Sequence, residues 1–332
     1  MTKTKHLGAP HSSPQRNSLV IRRCLLAWYD ANRRDLPWRR DRDPYRVWVS
    51  EIMLQQTRVA AVLEHYAEFL RRFPSIQELA DARPSEVLAA WSGLGYYRRA
   101  RALHQATREV ARQGSGKFPV TVDEWLALPG IGRYTAAAIA SITLNQAVAV
   151  VDGNVERVLG RLAGKRLIGE QVWTAAGILL SPKRPGDFNQ AMMELGATVC
   201  TPRNPQCLVC PLMKSCVTRG ELPASAKEPA QRKVAIHYGL VREGDQVLLV
   251  RRPKSASLMP GMWELPEIPE KRRPKTAAWL KLKHSITTTN YGVNVHRTKK
   301  MQGVGRWLSV TRLKQVPLTG LARKILRAAK FL

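Results

Sequence analysis

Leu128-Pro-Gly-Ile-Gly-Arg-Tyr-Thr135, running straight into the alanine-rich apolar segment 136–142, is the stretch on which the fold turns. Two glycines two residues apart, just ahead of a helix start, let backbone N–H groups come close to an anion. The helix end adds the positive pole of its dipole. Such a turn suits a DNA phosphate and reads no base. For the glycines alone, a plain turn between two helices is the competing explanation. Working outward, the first 220 or so residues read as helical. Ser18 is placed to cap a helix whose apolar face includes Leu19, Leu25, Leu26 and Trp28. Asp43-Pro44 opens a helical run to Phe73, closed by Pro74, and Pro84 opens another helix in the same way. Gly93 and Gly95 mark a turn, and Asp123 is placed to cap 124–128. Gly114-Ser-Gly-Lys117 marks a loop. It is not a nucleotide phosphate loop, because the first glycine is missing and Phe118 stands where a magnesium-binding hydroxyl belongs.

The chain has 332 residues, enough for about two domains, and 44% hydrophobic residues, which rules out disorder of the whole. Its net charge of +29 speaks to partners rather than fold: a polyanion, nucleic acid before membrane. The charge is uneven. Residues 1–231 carry +12 and residues 232–332 carry +17, with no acidic residue after Glu270. The longest apolar candidate, 136–151, is broken by Ser141, Thr143, Asn145 and Gln146, so no membrane span is expected. The basic, polar first 17 residues read as a flexible tail and not as a secretory leader.

Three further constellations carry chemistry. Val151-Asp-Gly-Asn-Val-Glu-Arg-Val158 puts a carboxylate at a helix start, where it is at least a cap. Val47-Trp-Val-Ser-Glu-Ile-Met-Leu-Gln-Gln-Thr57 puts Glu51 inside a strongly apolar helix, where a lone glutamate is commonly paired or partly exposed. Cys200-x6-Cys207-x2-Cys210-x5-Cys216 gathers four of the five cysteines within 17 residues. An odd total with one tight cluster argues against a disulfide scaffold and for a metal site in a reducing compartment. Four thiolates bind zinc or an iron–sulfur cluster, and zinc modules usually pair two short Cys-x-x-Cys arms, which this spacing does not. Cys24 reads as a core thiol. Arg203, Lys214 and Arg219 flank the loop as phosphate contacts or as solvated charge.

Taken with Leu36-Pro-Trp-Arg39 and Gly93-Leu-Gly-Tyr-Tyr97, these motifs resemble the helix-hairpin-helix DNA glycosylases, and within them the adenine DNA glycosylase (MutY-type) family, over about residues 18–325. The resemblance implies a mainly α N-terminal catalytic region and a small α+β, Nudix-like C-terminal domain. The catalytic region, 18–222, would comprise a six-helix barrel (about 39–144) and an iron–sulfur subdomain (about 18–38 with 145–222). A linker at 223–232 and the second domain at 233–332 would follow. The implied activity is excision of adenine mispaired with 8-oxoguanine or guanine. The implied cofactor is a [4Fe–4S] cluster on Cys200, Cys207, Cys210 and Cys216.

Site residues follow from the same resemblance. Glu51 would be the general acid, its pKa raised by burial among Trp48, Ile52 and Met53. Asp152 would stabilise positive charge on the sugar, oriented by Asn154. Tyr134 stands where strand-cleaving relatives carry a Schiff-base lysine, so the enzyme would be monofunctional. Arg39 and Gln190 would hold the adenine. Gln56, Thr57, Leu94 and Tyr96 would wedge the duplex and meet the opposite 8-oxoguanine. Gly130 and Gly132 would hold phosphate. Duplex DNA is the expected partner, the chain is expected to be a monomer, and a cytoplasmic, nucleoid-associated location is expected.

In the second domain, Ala235–Val241 and Gln246–Val250 read as strands around Glu243-Gly-Asp245. Stretches 285–289 and 291–295 have strand composition, and 318–332 reads as a helix. Gly261-Met-Trp-Glu-Leu-Pro266 carries the Nudix likeness. The magnesium-binding glutamates of true Nudix hydrolases are absent: Lys271-Arg-Arg-Pro-Lys275 follows Glu270 instead. Recognition of 8-oxoguanine is the role left. The family's Phe-Ser/Thr-His loop is altered here to Ile286-Thr287-Thr288, which keeps a hydroxyl at Thr287 and lacks the histidine. The alternatives are an endonuclease III-like lyase on oxidised pyrimidines and a non-catalytic DNA-binding relative.

Overall fold

The computed structural model describes residues 14–112, 117–223, 232–286, 289–298, 301 and 305–332. Most of the expected tail, the loop 114–116, most of the expected linker, and Thr287 with Thr288 lie outside the described residues. The helical part runs α1 (Pro14–Asn32), α2 (Pro44–Leu54), α3 (Val59–Arg72), α4 (Ile76–Asp81), α5 (Pro84–Ala90), α6 (Tyr97–Arg112), α7 (Val122–Leu126), α8 (Arg133–Leu144), α9 (Gly153–Ala163), α10 (Glu170–Leu179) and α11 (Pro185–Thr198). No helix among the described residues is long and apolar enough to cross a membrane.

The chain divides into two compact units, Met1–Glu51 with Phe118–Ser225 and Ile52–Lys117 with Ala226–Leu332. The division therefore runs through the helical region, after Glu51 on α2, as well as near the compositional break at 223–232.

In the first unit, α1 presents Ile21, Leu25 and Tyr29, one residue per turn, to a core completed by Val155, Val158 and Leu159 of α9 and Phe188, Met192 and Leu195 of α11. Cys24 packs against that core. Helix α1 begins at Pro14, so Ser18 is a buried interior residue rather than its cap, and Leu19 is exposed rather than on the apolar face. Helix α7 is capped by Thr121, whose hydroxyl accepts from the Glu124 N–H while the Glu124 carboxylate accepts from the Thr121 N–H. That reciprocal box displaces Asp123 from the capping role expected of it. Helix α8 is buried from Thr135 to Ile142, which its run of alanines permits. The Gly186 position at the start of α11 lies so close to α8 that a Cβ there would meet Ser141 O at 2.5 Å.

In the second unit, the expected run from Pro44 to Phe73 is broken between α2 and α3. Gln56 adopts a left-handed φ of 53°, and an arginine side chain takes the carbonyls that would continue α2. Helix α6 packs on α4 and α5.

After residue 231 come β1 (Arg232–Leu240), β2 (Arg242–Glu243), β3 (Gln246–Arg251), β4 (Trp263–Glu264), β5 (Leu280–Ile286), β6 (Thr289–Arg297), β7 (Arg306–Ser309) and α12 (Gly320–Ala328). One sheet has the order β1-β6-β5, with β1 parallel and β5 antiparallel to β6. The other has the order β2-β3-β4, with β7 paired to β3. Strand β5 starts at Leu280, earlier than its composition signalled, because Leu280, Leu282 and Ile286 alternate with exposed Lys281, Lys283 and Ser285. Val247, Leu249, Val293, Val295, Leu321 and Ile325 form the core of this α+β part. Within the same unit, the Ser92 and Tyr97 hydroxyls both donate to Leu318 O, at 3.0 and 2.8 Å, tying the glycine turn to the α12 approach.

Candidate functional site

Helix α2 is apolar nearly all round, with Val47, Trp48, Val49, Ile52 and Met53 buried, so Glu51 near its end is only 5% exposed. A carboxylate so placed loses its hydration. Burial is the largest influence on its pKa and raises it. A hydrogen bond from Tyr134 opposes that rise, the charge of Asp152 adds to it, and Arg39 opposes it; the carboxyl settles at about 7. The donor is the Tyr134 Oη, 2.9 Å from Glu51 Oε2. Burial and the neighbouring carboxylates push the phenol itself well above its ordinary value, so it stays a donor.

Tyr134 is held by the hairpin. Gly130 sits at φ 77° between α7 and α8, Gly132 is the N-cap of α8, and the space beside Gly132 is open. Glycine adopts a φ > 0 turn without steric cost, and the open side leaves the α8 start approachable. Tyr134, one residue inside the helix, points inward.

Asp152 caps α9. One carboxylate oxygen accepts from the Asn154 and Val155 N–H groups at 2.9 and 2.7 Å, and the other accepts from Asn154 Nδ2 at 2.9 Å. The expected orienting role of Asn154 thus has a direct geometric form. Asn154 is held in turn: Arg157 Nη2 donates to its Oδ1 at 2.7 Å and to Gly196 O at 2.7 Å. Gly196 allows this close approach, since a Cβ there would meet Asn154 Cβ at 2.6 Å. Buried Asn189 fixes the segment leading to Asp152, accepting from Val150 N–H and donating to Val148 O and Ser141 Oγ.

Arg39 ends the 3-10 turn Pro37–Arg39 and donates through Nη2 to Glu194 Oε2 at 2.9 Å. Glu194 is 1% exposed. Burial alone raises its pKa, but forked hydrogen bonds from Arg34 and the bond from Arg39 outweigh this and hold it at about 2. Gln190 is half-buried one turn before Glu194 on α11, and the Met193 sulfur lies 3.4 Å from Tyr134 Oη. The structure therefore brings Glu51, Tyr134, Asp152, Asn154 and Arg39 together in one unit, with Gln190 on the helix that carries Glu194.

Gln56, Thr57, Leu94 and Tyr96 belong to the other unit. Gln56 is exposed and Tyr96 is 46% exposed at φ 45°. Leu94 is only 6% exposed, so it is not presented to a duplex in this conformation. Thr287 lies outside the described residues.

Cys200, Cys207, Cys210 and Cys216 line one small hollow with Arg161 and Met213. Among the described residues no three His, Cys, Asp or Glu side chains converge on a position for a single ion. Four thiols around a shared hollow are the donor set that an iron–sulfur cluster takes. Arg161, buried on α9, donates to Thr201 O at 2.7 Å and Pro202 O at 3.0 Å, and Arg157 Nε donates to Cys200 O at 2.8 Å. Arg203, Lys214 and Arg219 are exposed around the loop. Glu194, Arg157 and Arg161 went unnoticed in the sequence. Their one local signal is a charged residue recurring on an otherwise apolar helical face.

Tyr134→Phe removes a donor that favours ionised Glu51. The expected outcome is a higher midpoint for Glu51 in a carbon-13 NMR titration; an unchanged or lower midpoint contradicts the geometry.

Known proteins resemble the chain over this region and beyond it. Residues 49–169 match the HhH-GPD superfamily base excision DNA repair proteins, and residues 200–216 match the iron-sulfur binding domain of endonuclease III. The chain is 41% identical over 314 residues to an adenine DNA glycosylase of Homo sapiens, covering 75% of this chain and 57% of that protein. It is 32% identical over 338 residues to one of Schizosaccharomyces pombe, covering 81% of this chain and 73% of that protein. The chain spans only about three fifths of the length of the mammalian relatives it matches. Among solved structures, a thermostable thymine-DNA glycosylase superposes with a TM-score of 0.59 at 29% identity, covering 63% of this chain and 99% of that one.

Proposed function

The chain belongs to the adenine DNA glycosylase family, and from that premise we propose that it is a monofunctional base-excision enzyme, hydrolysing the N-glycosidic bond of adenine mispaired with 8-oxoguanine or guanine in duplex DNA. The observation that carries this reading is the hydrogen bond from Tyr134 to buried Glu51, beside Asp152 at the α9 start. A phenol forms no imine, so this position supplies no Schiff-base nucleophile. A carboxyl with a pKa near 7 is about half protonated at neutral pH, as a general acid needs.

The chemistry follows from adenine as a leaving group. The base is flipped out of the stack to be reached. Glu51 protonates N7, and the glycosidic bond breaks with positive charge left on the sugar. Asp152 faces that charge as a carboxylate locked by three hydrogen bonds, stabilising it electrostatically or by a transient bond to the sugar. Glu51, having given its proton, takes one from the attacking water. Arg39 and Gln190 hold the ring, with Glu194 fixing Arg39.

Residues 200–216 hold a [4Fe–4S] cluster, and we assign its ligands as Cys200, Cys207, Cys210 and Cys216. When bound, it supplies a four-thiolate crosslink that makes the loop rigid. Gly130 and Gly132 at the α8 start, with Arg203, Lys214 and Arg219, are the proposed phosphate contacts. The basic residues 232–332 are the proposed 8-oxoguanine reader, a Nudix-like module whose missing carboxylates leave it recognition alone and whose Thr287 contributes the hydroxyl. The proposed working form is a monomer in the cytoplasm, on the nucleoid.

The test is a substrate panel. Duplexes carrying adenine opposite 8-oxoguanine, adenine opposite guanine, and thymine glycol are incubated with the protein and run with and without hot alkali. Breakage of the first two only after alkali is the expected result. Breakage of the thymine-glycol strand without alkali would make the chain a lyase, and no breakage anywhere would make it a non-catalytic binder.

A further inference from the structure

The second unit contains an arginine that the reaction as described does not use. Arg99, half-buried on α6, donates through Nη1 to Ile52 O at 2.7 Å, to Met53 O at 3.0 Å and to Gln55 O. Through Nη2 it donates to Thr57 Oγ1 at 2.9 Å and Leu94 O at 3.4 Å. Its guanidinium lies over the rings of Trp91 and Tyr96, 5.5 and 5.4 Å from their centroids. Burial lowers its pKa to about 10, which still leaves it charged at neutral pH.

These acceptors come from two segments far apart in sequence. One ends α2 and turns through Gln55, Gln56 and Thr57; the other is the Gly93–Tyr96 turn. Each contains a non-glycine residue in the left-handed region, Gln56 at φ 53° and Tyr96 at φ 45°. Such residues persist only where their surroundings over-determine them. Here one planar guanidinium occupies the carbonyls on one side of Gln56 and the hydroxyl on the other. It also holds the turn that presents Tyr96.

We propose that Arg99 is a positioning residue that clamps the 55–57 and 93–96 segments into a single two-part wedge, so that Gln56 and Tyr96 enter the base stack together. The proposal rests on the reading that these segments enter DNA during adenine excision. Lysine does not substitute, because an ammonium lacks the planar fork that reaches separated acceptors.

The test uses the full chain and a duplex carrying 2′-fluoro-deoxyadenosine opposite 8-oxoguanine. The fluorine destabilises a positive sugar, so the complex is not cleaved. A neighbouring 2-aminopurine brightens when the wedge unstacks it. In Arg99→Lys the brightening at saturating protein is expected to fall about 10-fold. The single-turnover excision rate on the cleavable duplex should fall with it. The pH profile of the residual rate should keep its midpoint, since Glu51 is untouched. Arg99→Gln, with a planar amide of two hydrogens, is the second variant and should fall between.

Native brightening in Arg99→Lys would overturn the proposal, and a shifted pH midpoint would put Arg99 in the chemistry instead. Failure of both variants to fold would make the residue structural and overturn it as well. If the unaltered chain excises adenine but produces no brightening, the wedge fails while the activity stands. If it excises no adenine, the activity itself fails.

Discussion

Glu51→Gln is expected to lower single-turnover adenine release by about 10²–10⁴-fold, the range that general acid catalysis contributes. Gln keeps the size and the acceptor for Tyr134 but carries no proton to give to N7. The same change should stabilise the protein. The Glu51 carboxyl titrates at about 7 in the fold against an ordinary 4.5, with burial as the main cause. Below pH 4.5 it is neutral whether folded or unfolded, and no penalty arises. Between pH 4.5 and 7 the unfolded chain gives up this proton while the folded chain keeps it, so stability falls; above 7 the folded chain holds a buried carboxylate and the loss levels off. At about 1.4 kcal/mol per pKa unit, the cost above pH 8 is about 3.5 kcal/mol. Denaturant unfolding of the two proteins should therefore show Glu51→Gln more stable at pH 8, with the gap closing by pH 5. An active Glu51→Gln protein, or one less stable at pH 8, contradicts the role assigned to this carboxyl.

Asp152→Asn separates charge from structure at the other carboxylate. Asparagine is as good an N-cap as aspartate, so the bonds to the Asn154 and Val155 N–H groups survive and stability should change by less than about 1 kcal/mol. The negative charge facing the sugar does not survive. Removing one pre-organised electrostatic partner typically costs about 10²–10³-fold in rate, and a comparable or larger loss in single-turnover excision is expected here. Duplex affinity should stay within a few-fold. If the variant instead lost stability and kept its rate, Asp152 would be a helix cap and nothing more.

Much of the site was legible because its signals are local. The glycines of 128–135, the aspartate two residues before Asn154, and the cysteine spacing each act within one turn or loop, where sequence separation and spatial separation coincide. What escaped reading depends on partners far along the chain. Glu194 looks like a charge on an apolar helix until Arg34 and Arg39, more than 150 residues away, are seen to hold it. The break after α2 is set by Arg99, more than 40 residues on, and not by any proline or glycine at the break. Leu94, expected as a wedge, is buried because the Gly93–Tyr96 turn folds it inward and leaves Tyr96 outside. The cap of α7 was misplaced by two residues because Thr121 and Asp123 are both good caps, and only Thr121 has Glu124 three residues ahead. Of the strands after residue 231, β1, β3, β5 and β6 were located from their composition and β2, β4 and β7 were not; the order was not legible either, since nothing local specifies that β1 lies parallel to β6.

The central claim is that burial keeps Glu51 protonated near neutral pH so that it can deliver a proton to adenine. Its most direct test is the pH dependence of single-turnover excision between pH 5.5 and 9.5, on a duplex with adenine opposite 8-oxoguanine. The rate is expected to fall about tenfold per pH unit above a midpoint near 7, with that midpoint moved upward in Tyr134→Phe. A rate that stays flat to pH 9, or a midpoint that moves downward when the Tyr134 hydroxyl is removed, would contradict it.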